Sequence, residues 1–401
     1  MKKYLFILAA AAALVACSKT ELVPAVTNDA ETEITYTVAP KVRADVKDFD
    51  KTWSFISNAF YLANTDDSNN ALTWASHAGA TPSSYIVDKT ISYITDDAVW
   101  RSADNKKYYW PKAGKLTFFA YTNATETVAY DANTGKGVPS YKTFATSDIV
   151  TATVDATNGV QYKDFSVVDN KNVDLLVADI KADQTKNLTN DYGNFGETDN
   201  ADRVDKRESR YTGVPTLFRH KLSKVVFTAT TKVDYGTEYK FTINSIKFNG
   251  LDVKGSYVQG VDAASCTGAW TSVAPTAGTD DVQTYFESTD AFAVPNTTSV
   301  YEVYGSTDGQ YYYMPQTFDE NDTFTVDYNI TYNVGNTTTT EKNIKQVCTL
   351  KPTTGTAILN AFEIGKKYTI NLIFGLDEIL WDPAVEDWAV ESAETTINPT
   401  V

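Results

Sequence analysis

The side chains of this 401-residue chain that could do chemistry are its carboxylates, two histidines and three cysteines. His77 lies in a polar stretch, and His220 follows Arg219 at the start of a predicted strand. Neither histidine has a cysteine or histidine neighbour at metal-ligand spacing, so both are predicted to be surface or strand-edge residues. The sequence has no Gly-rich phosphate loop, no G-x-S-x-G elbow and no EF-hand spacing. It therefore predicts no catalytic residue, no metal site and no cofactor.

Acidic side chains are plentiful, but their spacing does not indicate an enzyme or a calcium site. Aspartate pairs at 66–67, 96–97 and 280–281 sit among turn residues, where solvated turn caps are expected in preference to calcium ligands. Two opposed carboxylates would suit a β-sandwich glycosidase, yet the sequence singles out no such pair. With 51 acidic and 35 basic residues the formal net charge is -16, which disfavours nucleic acid as a partner.

Cys17 has a clear chemical context. Lys2 and Lys3 precede an apolar stretch that ends in Leu14-Val15-Ala16-Cys17, a sequence that resembles a bacterial lipobox. The lipobox predicts that residues 1–16 are a lipoprotein signal peptide, that cleavage precedes Cys17, and that this residue is then acylated and tethers the chain to a membrane. An ordinary signal peptide with an incidental cysteine is the alternative.

The other two cysteines are Cys266 and Cys348. After export they would lie in a compartment that permits disulfides. The sequence leaves two readings open, a disulfide between them or two separate buried thiols.

The elements that must position these residues are predicted to be β-strands. The chain contains 25 Tyr, 19 Phe and 7 Trp, and aromatic residues fit a pleated, half-buried surface. In residues 323–334 apolar and polar side chains alternate, which predicts one buried and one wet face of an antiparallel sheet. Residues 115–122 carry aromatics on both faces and predict a strand sandwiched between layers. Residues 34–38, 173–178 and 366–374 predict further strands.

The polar stretch within 179–212 indicates a connection between two domains. We therefore predict an all-β fold of two antiparallel β-sandwich domains in series. The predicted division is a tether and first strand at 17–43, an N-terminal domain at 44–205, a C-terminal domain at 206–376 and a terminal segment at 377–401.

A set of motifs is distributed along nearly the whole chain, each at one place and in a fixed order. It comprises the lipobox, KVRA at 41–44, YYWPKAGKLTFFAY at 108–121, DLLVA at 174–178, FRHKLSKVVF at 218–227, MPQ at 314–316, GKKYTINLIF at 365–374 and VEDWAV at 385–390. Together these motifs resemble the fimbrillin family of Bacteroidetes surface pili, the type V pilins. The resemblance implies two tandem transthyretin-like β-sandwich domains and export as a surface-exposed lipoprotein of the outer membrane, anchored through Cys17.

The resemblance also implies a route of assembly. An arginine-specific surface protease removes the N-terminal segment with its first strand, and Arg43, with its bond to Ala44, matches the scissile position. The vacated groove then accepts C-terminal strands of a neighbouring subunit, so the partners are other fimbrillin subunits and the final location is the fimbrium. The fimbrium would serve adhesion to a host or bacterial surface ligand. An ordinary solvated arginine is the alternative for Arg43.

The expected donor of the exchanged strand is the terminal segment 377–401. Pro383, with Asp382 before it, is predicted to break this segment into two short strands. A terminal strand that folds into its own domain, followed by a frayed tail, is the alternative. The apolar plugs of the donor would be Ile379, Trp381, Val385, Trp388 and Val390.

Two other roles stay open. A cell-surface glycan-binding lipoprotein would stack sugars on aromatic platforms, for which Trp74, Trp100, Trp110 and Trp270 are available. The family also includes tip and anchor subunits, which these motifs do not separate from stalk subunits.

Overall fold

The computed structural model describes most of the chain, with gaps at the N-terminus, in several loops and after residue 387. The described residues are 33–38, 49, 51–63, 73–76, 81–131, 136–142, 149–185, 213–262, 268–273, 282–295, 300–303, 309–334, 338–351, 359–377 and 379–387. Within them the regular structure is β-strand, apart from one turn of 3₁₀ helix at Trp74–Ser76. The prediction of an all-β fold is confirmed.

Twelve strands lie between residues 36 and 220. They are β1 (Tyr36–Val38), β2 (Ser54–Leu62), β3 (Ser83–Ile94), β4 (Val99–Ser102), β5 (Lys115–Asp131), β6 (Lys136–Lys142), β7 (Thr153–Asp155), β8 (Gly159–Ser166), β9 (Val173–Ala178), β10 (Lys181–Gln184), β11 (Val214–Thr216) and β12 (Phe218–His220).

Thirteen strands follow. They are β13 (Ser223–Thr231), β14 (Tyr239–Asn249), β15 (Lys254–Val258), β16 (Ala269–Val273), β17 (Val282–Ala293), β18 (Tyr301–Glu302), β19 (Tyr312–Tyr313), β20 (Gln316–Thr317), β21 (Thr323–Val334), β22 (Thr338–Thr349), β23 (Ala361–Phe362), β24 (Lys366–Phe374) and β25 (Ile379–Asp387).

The largest sheet, which we call sheet 1, has the order β11-β1-β4-β3-β2-β5-β9-β12, with β6 and β10 also paired to β5. Both faces of its middle strands are covered. On β5 the neighbouring rings of Phe118 and Phe119 point to opposite faces, and both are buried in separate apolar clusters. This confirms the strand predicted at 115–122 with aromatics on both faces.

Sheet 2 has the order β16-β15-β8-β7 and packs on one face of sheet 1. Its strands come from both halves of the chain, because β15 pairs with β8 through Gly255 opposite Phe165 and Tyr257 opposite Tyr162. Strands β11 and β12 likewise join sheet 1, next to β1 and β9. A division between residues 205 and 206 therefore does not separate the hydrogen-bonded sheets.

Sheet 3 (β18-β13-β24-β25) and sheet 4 (β17-β14-β21-β22) form a second sandwich. The strand predicted at 323–334 is β21, which turns Phe324, Val326 and Tyr328 into the core and pairs with β22 along its whole length. The expected sheets were antiparallel throughout. The structure differs at β1 with β11 and at β13 with β24, which are parallel pairs between distant segments.

The two sandwiches are joined by buried polar contacts. The Nζ atom of Lys224 on β13 lies 2.7 Å from Oε1 of Glu126 on β5, and the Tyr312 hydroxyl donates to the other oxygen of that carboxylate. The side-chain amide of Asn172 donates to the carbonyl of Gly309 at 2.8 Å. An ion pair with both partners buried fixes one half of the molecule against the other.

His220 lies on β12, at the end of sheet 1, but its side chain is only 4% exposed. Its Nδ1 atom is 2.6 Å from Oδ2 of Asp174 on the adjacent strand β9. Burial raises the pKa of the Asp174 carboxyl, and His220 acts in the opposite direction. Of the two predicted positions, surface or strand edge, His220 therefore has the second, and the residue is buried there. His77 lies outside the described residues.

Candidate functional sites

Strand β1 lies between β11 and β4 near one edge of sheet 1. It pairs in parallel with β11, from Tyr36 opposite Val214 to Val38 opposite Thr216, and it meets β4 where Tyr36 lies opposite Trp100. We call the space that β1 fills between these two strands the β1 seat. Because β1 bonds to a strand on each side, its removal would leave backbone groups of both neighbours unpaired.

The buried side chains of β1 contribute more to its binding in the seat than the few backbone hydrogen bonds of this short strand. Ile34 and Tyr36 are 3% and 5% exposed, and the Tyr36 ring meets Phe55 and Phe118 edge-on, with centroids 5.6 and 6.0 Å apart. Burying two such side chains stabilises the strand by roughly 1.5–3 kcal/mol each. The seat also requires a glycine, since a Cβ atom on Gly213 would lie 2.7 Å from the Thr35 carbonyl oxygen.

The predicted modification sites flank β1 in sequence. Cys17 and the Arg43–Ala44 bond both lie outside the described residues. The strand itself begins close to its predicted position, since Ile34 is buried and residues 36–38 form β1. The seat is thus the one described part of the predicted processing region.

Strand β25 occupies the edge of sheet 3 beside β24 and pairs with it along nine residues. Ile379 is buried and Trp381 packs edge-on against Phe324, with ring centroids 5.2 Å apart, whereas Val385 is 52% exposed. The first two predicted plugs therefore fill the core of their own domain, which is the alternative considered for this segment. Trp388 and Val390 lie outside the described residues.

The predicted break at Pro383 is wrong. β25 continues through this residue, which lies opposite Ile370 of β24. Proline lacks a backbone N–H group, but β25 is the last strand of sheet 3 and, among the residues that the structure describes, pairs with no strand on its other side. An edge strand tolerates the missing donor, so the chain stays extended.

Two sets of polar contacts anchor β25 at its ends. The Gln346 amide on β22 donates to the carbonyl of Ile379 at 2.7 Å and accepts from the N–H of the same residue at 2.8 Å. We call this pair of bonds the Gln346 clamp, because it ties sheet 4 to sheet 3. At the other end Lys366 and Lys367 lie 2.5 and 2.9 Å from carboxylates of Asp387 and Glu386. Sequence reasoning missed the clamp, although a glutamine between the inward-facing Ile344 and Cys348 was its signal.

We expect Gln346→Ala to lower the free energy of unfolding by about 1–3 kcal/mol, because the Ile379 amide and carbonyl lose their partner. Backbone amides of β25 should exchange faster with deuterium than in the unchanged protein. Urea unfolding and peptide-resolved exchange measure the two effects. The matched control is Val347→Ala, a position on the same strand that is 62% exposed, where a change of only about 0.5 kcal/mol is expected. Equal exchange of β25 in both variants would contradict the clamp.

The four candidate glycan platforms are not exposed rings. Trp74 and Trp100 are 3% and 7% exposed, and the indole of Trp74 donates to the Val261 carbonyl at 3.0 Å. Trp270 is half-buried and donates to the Lys221 carbonyl at 2.6 Å, while half-buried Trp110 packs against the Phe118 ring. Stacking of a sugar needs an open aromatic face, so these residues give the glycan-binding role no support.

Other chemistry has few candidates among the described residues. No group of three His, Cys, Asp or Glu side chains there lies close enough to hold a metal ion. Cys348 is a buried free thiol whose pKa is raised to about 11 by burial, and Cys266 lies outside the described residues. Both alternatives for these two cysteines, a disulfide or two separate buried thiols, therefore stay predictions. In the same part of the chain, no helix has the length and apolar character needed to cross a membrane.

Comparison with known proteins points to one family. A model of fimbrillin-like proteins matches residues 59–388 of the chain. A fimbrial protein from Bacteroides vulgatus has a similar structure, with 16% identity and a TM-score of 0.58 over 89% of this chain and 99% of that one. A second match, with a TM-score of 0.41 and 14% identity over 90% of this chain and 100% of the other, is described as a candidate cell adhesion protein from Bacteroides uniformis. None of the curated proteins matches.

Proposed function

The chain belongs to the fimbrillin-like family, and on that premise we propose that it is a subunit of an adhesive cell-surface fimbria that polymerises by strand exchange. The observation that carries the proposal is the β1 seat. One short strand, supplied by the segment ahead of the predicted cleavage site, fills a slot between two strands of sheet 1. A strand held in this way can be exchanged for one of the same length from another subunit.

The acceptor in this proposal is the β1 seat after β1 has left. Loss of Ile34 and Tyr36 would open an apolar cleft beside unpaired backbone groups of β4 and β11. Such a cleft is a template for strand addition. While β1 stays in place it acts as a plug, which prevents the precursor from polymerising early.

The donor is residues 388–401, a narrower segment than the 377–401 predicted from the sequence. The Gln346 clamp and the lysine pairs hold β25 on its own sandwich, where Ile379 fills the core. Pulling this strand out would expose that core, whereas a donor that begins after Asp387 leaves β25 docked. Each subunit would then be joined to the next through a tail, and such head-to-tail contacts build filaments because they do not close.

Export and processing complete the proposal. The chain would travel to the outer membrane as a lipoprotein acylated on Cys17, and an arginine-specific protease would cut between Arg43 and Ala44. The cut lies between the lipid anchor and the body of the protein, so it releases the subunit and frees β1 to leave in the same step. Other fimbrillin subunits are the partners, and the fimbrium is the final location.

We expect Arg43→Ala to leave surface export and folding unchanged and to reduce fibre formation to background, because β1 stays covalently attached and keeps the seat filled. Electron microscopy of cells and immunoblots of surface fractions measure the two outcomes. Arg43→Lys is the matched control, since it should resist an arginine-specific protease and regain assembly when a lysine-specific protease is added. Normal fibres on cells that carry Arg43→Ala would refute processing at this bond.

A further inference from the structure

The bottom of the β1 seat is polar, although its walls are aromatic. The hydroxyl groups of Tyr36 and Ser57 are both buried, and neither has a partner in good hydrogen-bond geometry within the described residues. Buried Lys181 lines the same small cavity, whose volume is about 10 Å³. We call Ser57 and Lys181 the floor of the seat. A cavity of this size is the smallest that admits one water molecule, so the floor calls for a polar group.

The Tyr36 side chain matches this mixed lining. Its ring packs between Phe55 and Phe118, while its hydroxyl reaches the cavity that Ser57 lines. Burial raises the pKa of Tyr36, and Ser57 is close enough to oppose the rise, so the phenol stays neutral and acts as a hydrogen-bonding group. A phenylalanine at this position would keep the ring contacts with Phe55 and Phe118. It would place no polar group next to Ser57 and Lys181.

We propose that the floor of the β1 seat selects its occupant, accepting a strand whose aromatic side chain has a polar far end, and that Trp388 of a neighbouring copy is that side chain in the fimbria. This inference rests on the proposed strand exchange. Trp388 is the one aromatic residue in 388–401, and its indole N–H can donate to the Ser57 hydroxyl. Trp388-x-Val390 also repeats the spacing of Tyr36-x-Val38, in which Val38 packs against the same cluster.

The first test uses the intact chain and does not depend on assembly. Tyr36→Phe and Ser57→Ala should each raise the unfolding equilibrium constant about fivefold, because each removes the hydroxyl with which the other interacts. The double variant should be no less stable than either single variant. Tyr121→Phe is the control, since its hydroxyl faces the Ala152 carbonyl in a different cluster and its effect should add to that of Ser57→Ala. Additive effects of Tyr36→Phe and Ser57→Ala would overturn the inference.

The second test compares Trp388→Tyr with Trp388→Phe in processed subunits, by the rate of fibre growth in light scattering. The tyrosine variant should grow at close to the normal rate and the phenylalanine variant about fivefold more slowly, and Ser57→Ala should abolish the difference. Equal growth of the two variants would overturn selection by the floor. Fibre growth by a chain that lacks 388–401 would instead refute the proposed strand exchange, and this inference with it.

Discussion

A chain that ends at Asp387 is expected to fold as stably as the longer chain and to form no fibres after processing. Its β1 seat is complete and β25 keeps the Gln346 clamp, so neither sandwich loses a buried side chain. It lacks the proposed donor segment, however. Each truncated subunit can therefore accept a strand in its β1 seat but cannot donate one to another subunit. Urea unfolding measures the stability, and electron microscopy of processed subunits measures assembly.

The matched comparison is a chain that ends at Asp377 and so lacks β25 as well. The core between sheets 3 and 4 then loses the buried Ile379 side chain and the half-buried Trp381 ring packed against it, which together should cost about 3–5 kcal/mol. This chain should therefore unfold at clearly lower urea concentration. Fibres from the chain that ends at Asp387, or equal stability of the two truncated chains, would contradict the assignment of β25 to the body and of the tail to the donor.

The second large effect is expected on the free energy of unfolding when the buried ion pair between the two sandwiches is broken. Lys224→Met should destabilise the protein by about 3–5 kcal/mol, because it leaves the Glu126 carboxylate buried without its cation. Both partners are almost fully buried, with side chains 9% and 1% exposed. Urea unfolding followed by tryptophan fluorescence measures the loss.

Two variants make this result specific to the ion pair. The double replacement Glu126→Leu with Lys224→Met removes both charges, so it should recover most of the lost stability. Lys247→Met breaks an exposed pair with Glu287 at the same distance of 2.7 Å and should cost no more than about 1 kcal/mol. If Lys224→Met cost as little as Lys247→Met, the buried pair would not hold the two halves together.

The parts of the fold that the sequence predicted are those decided by local pattern. β21 alternates because one face of sheet 4 is wet, and β5 is apolar on both faces because sheet 1 is covered on both sides. The first strand was found for the same reason, since Ile34 and Tyr36 alternate with threonines. The burial of each of these residues can therefore be predicted from the residues next to it in the sequence.

Pairing between distant segments could not be predicted in this way. Nothing local in β15 shows that it joins β8, and nothing in β11 shows that it forms one wall of the β1 seat. His220 was predicted at the surface or a strand edge and Trp74 was considered as a glycan platform, because the segments that bury them come from elsewhere in the chain. The same limit hid the ion pair between Glu126 and Lys224.

The candidate site was predicted in part. The sequence pointed to the first strand and the terminal segment, and the structure describes the first as the occupant of a seat with a polar floor. In the terminal segment the structure describes the strand β25, which is paired and clamped, and for that reason our proposal assigns the donor role to residues 388–401. Ser57 and Gln346 gave no strong signal, since each acts through one strand that is distant in sequence.

The N-terminal sequence and intact mass of subunits released from purified fimbriae test the central claim most directly. The proposal predicts a chain that starts at Ala44, with residues 33–38 absent from the fibre and the β1 seat filled by a neighbour. Fibres whose subunits still begin at an acylated Cys17, and so retain β1, would contradict it.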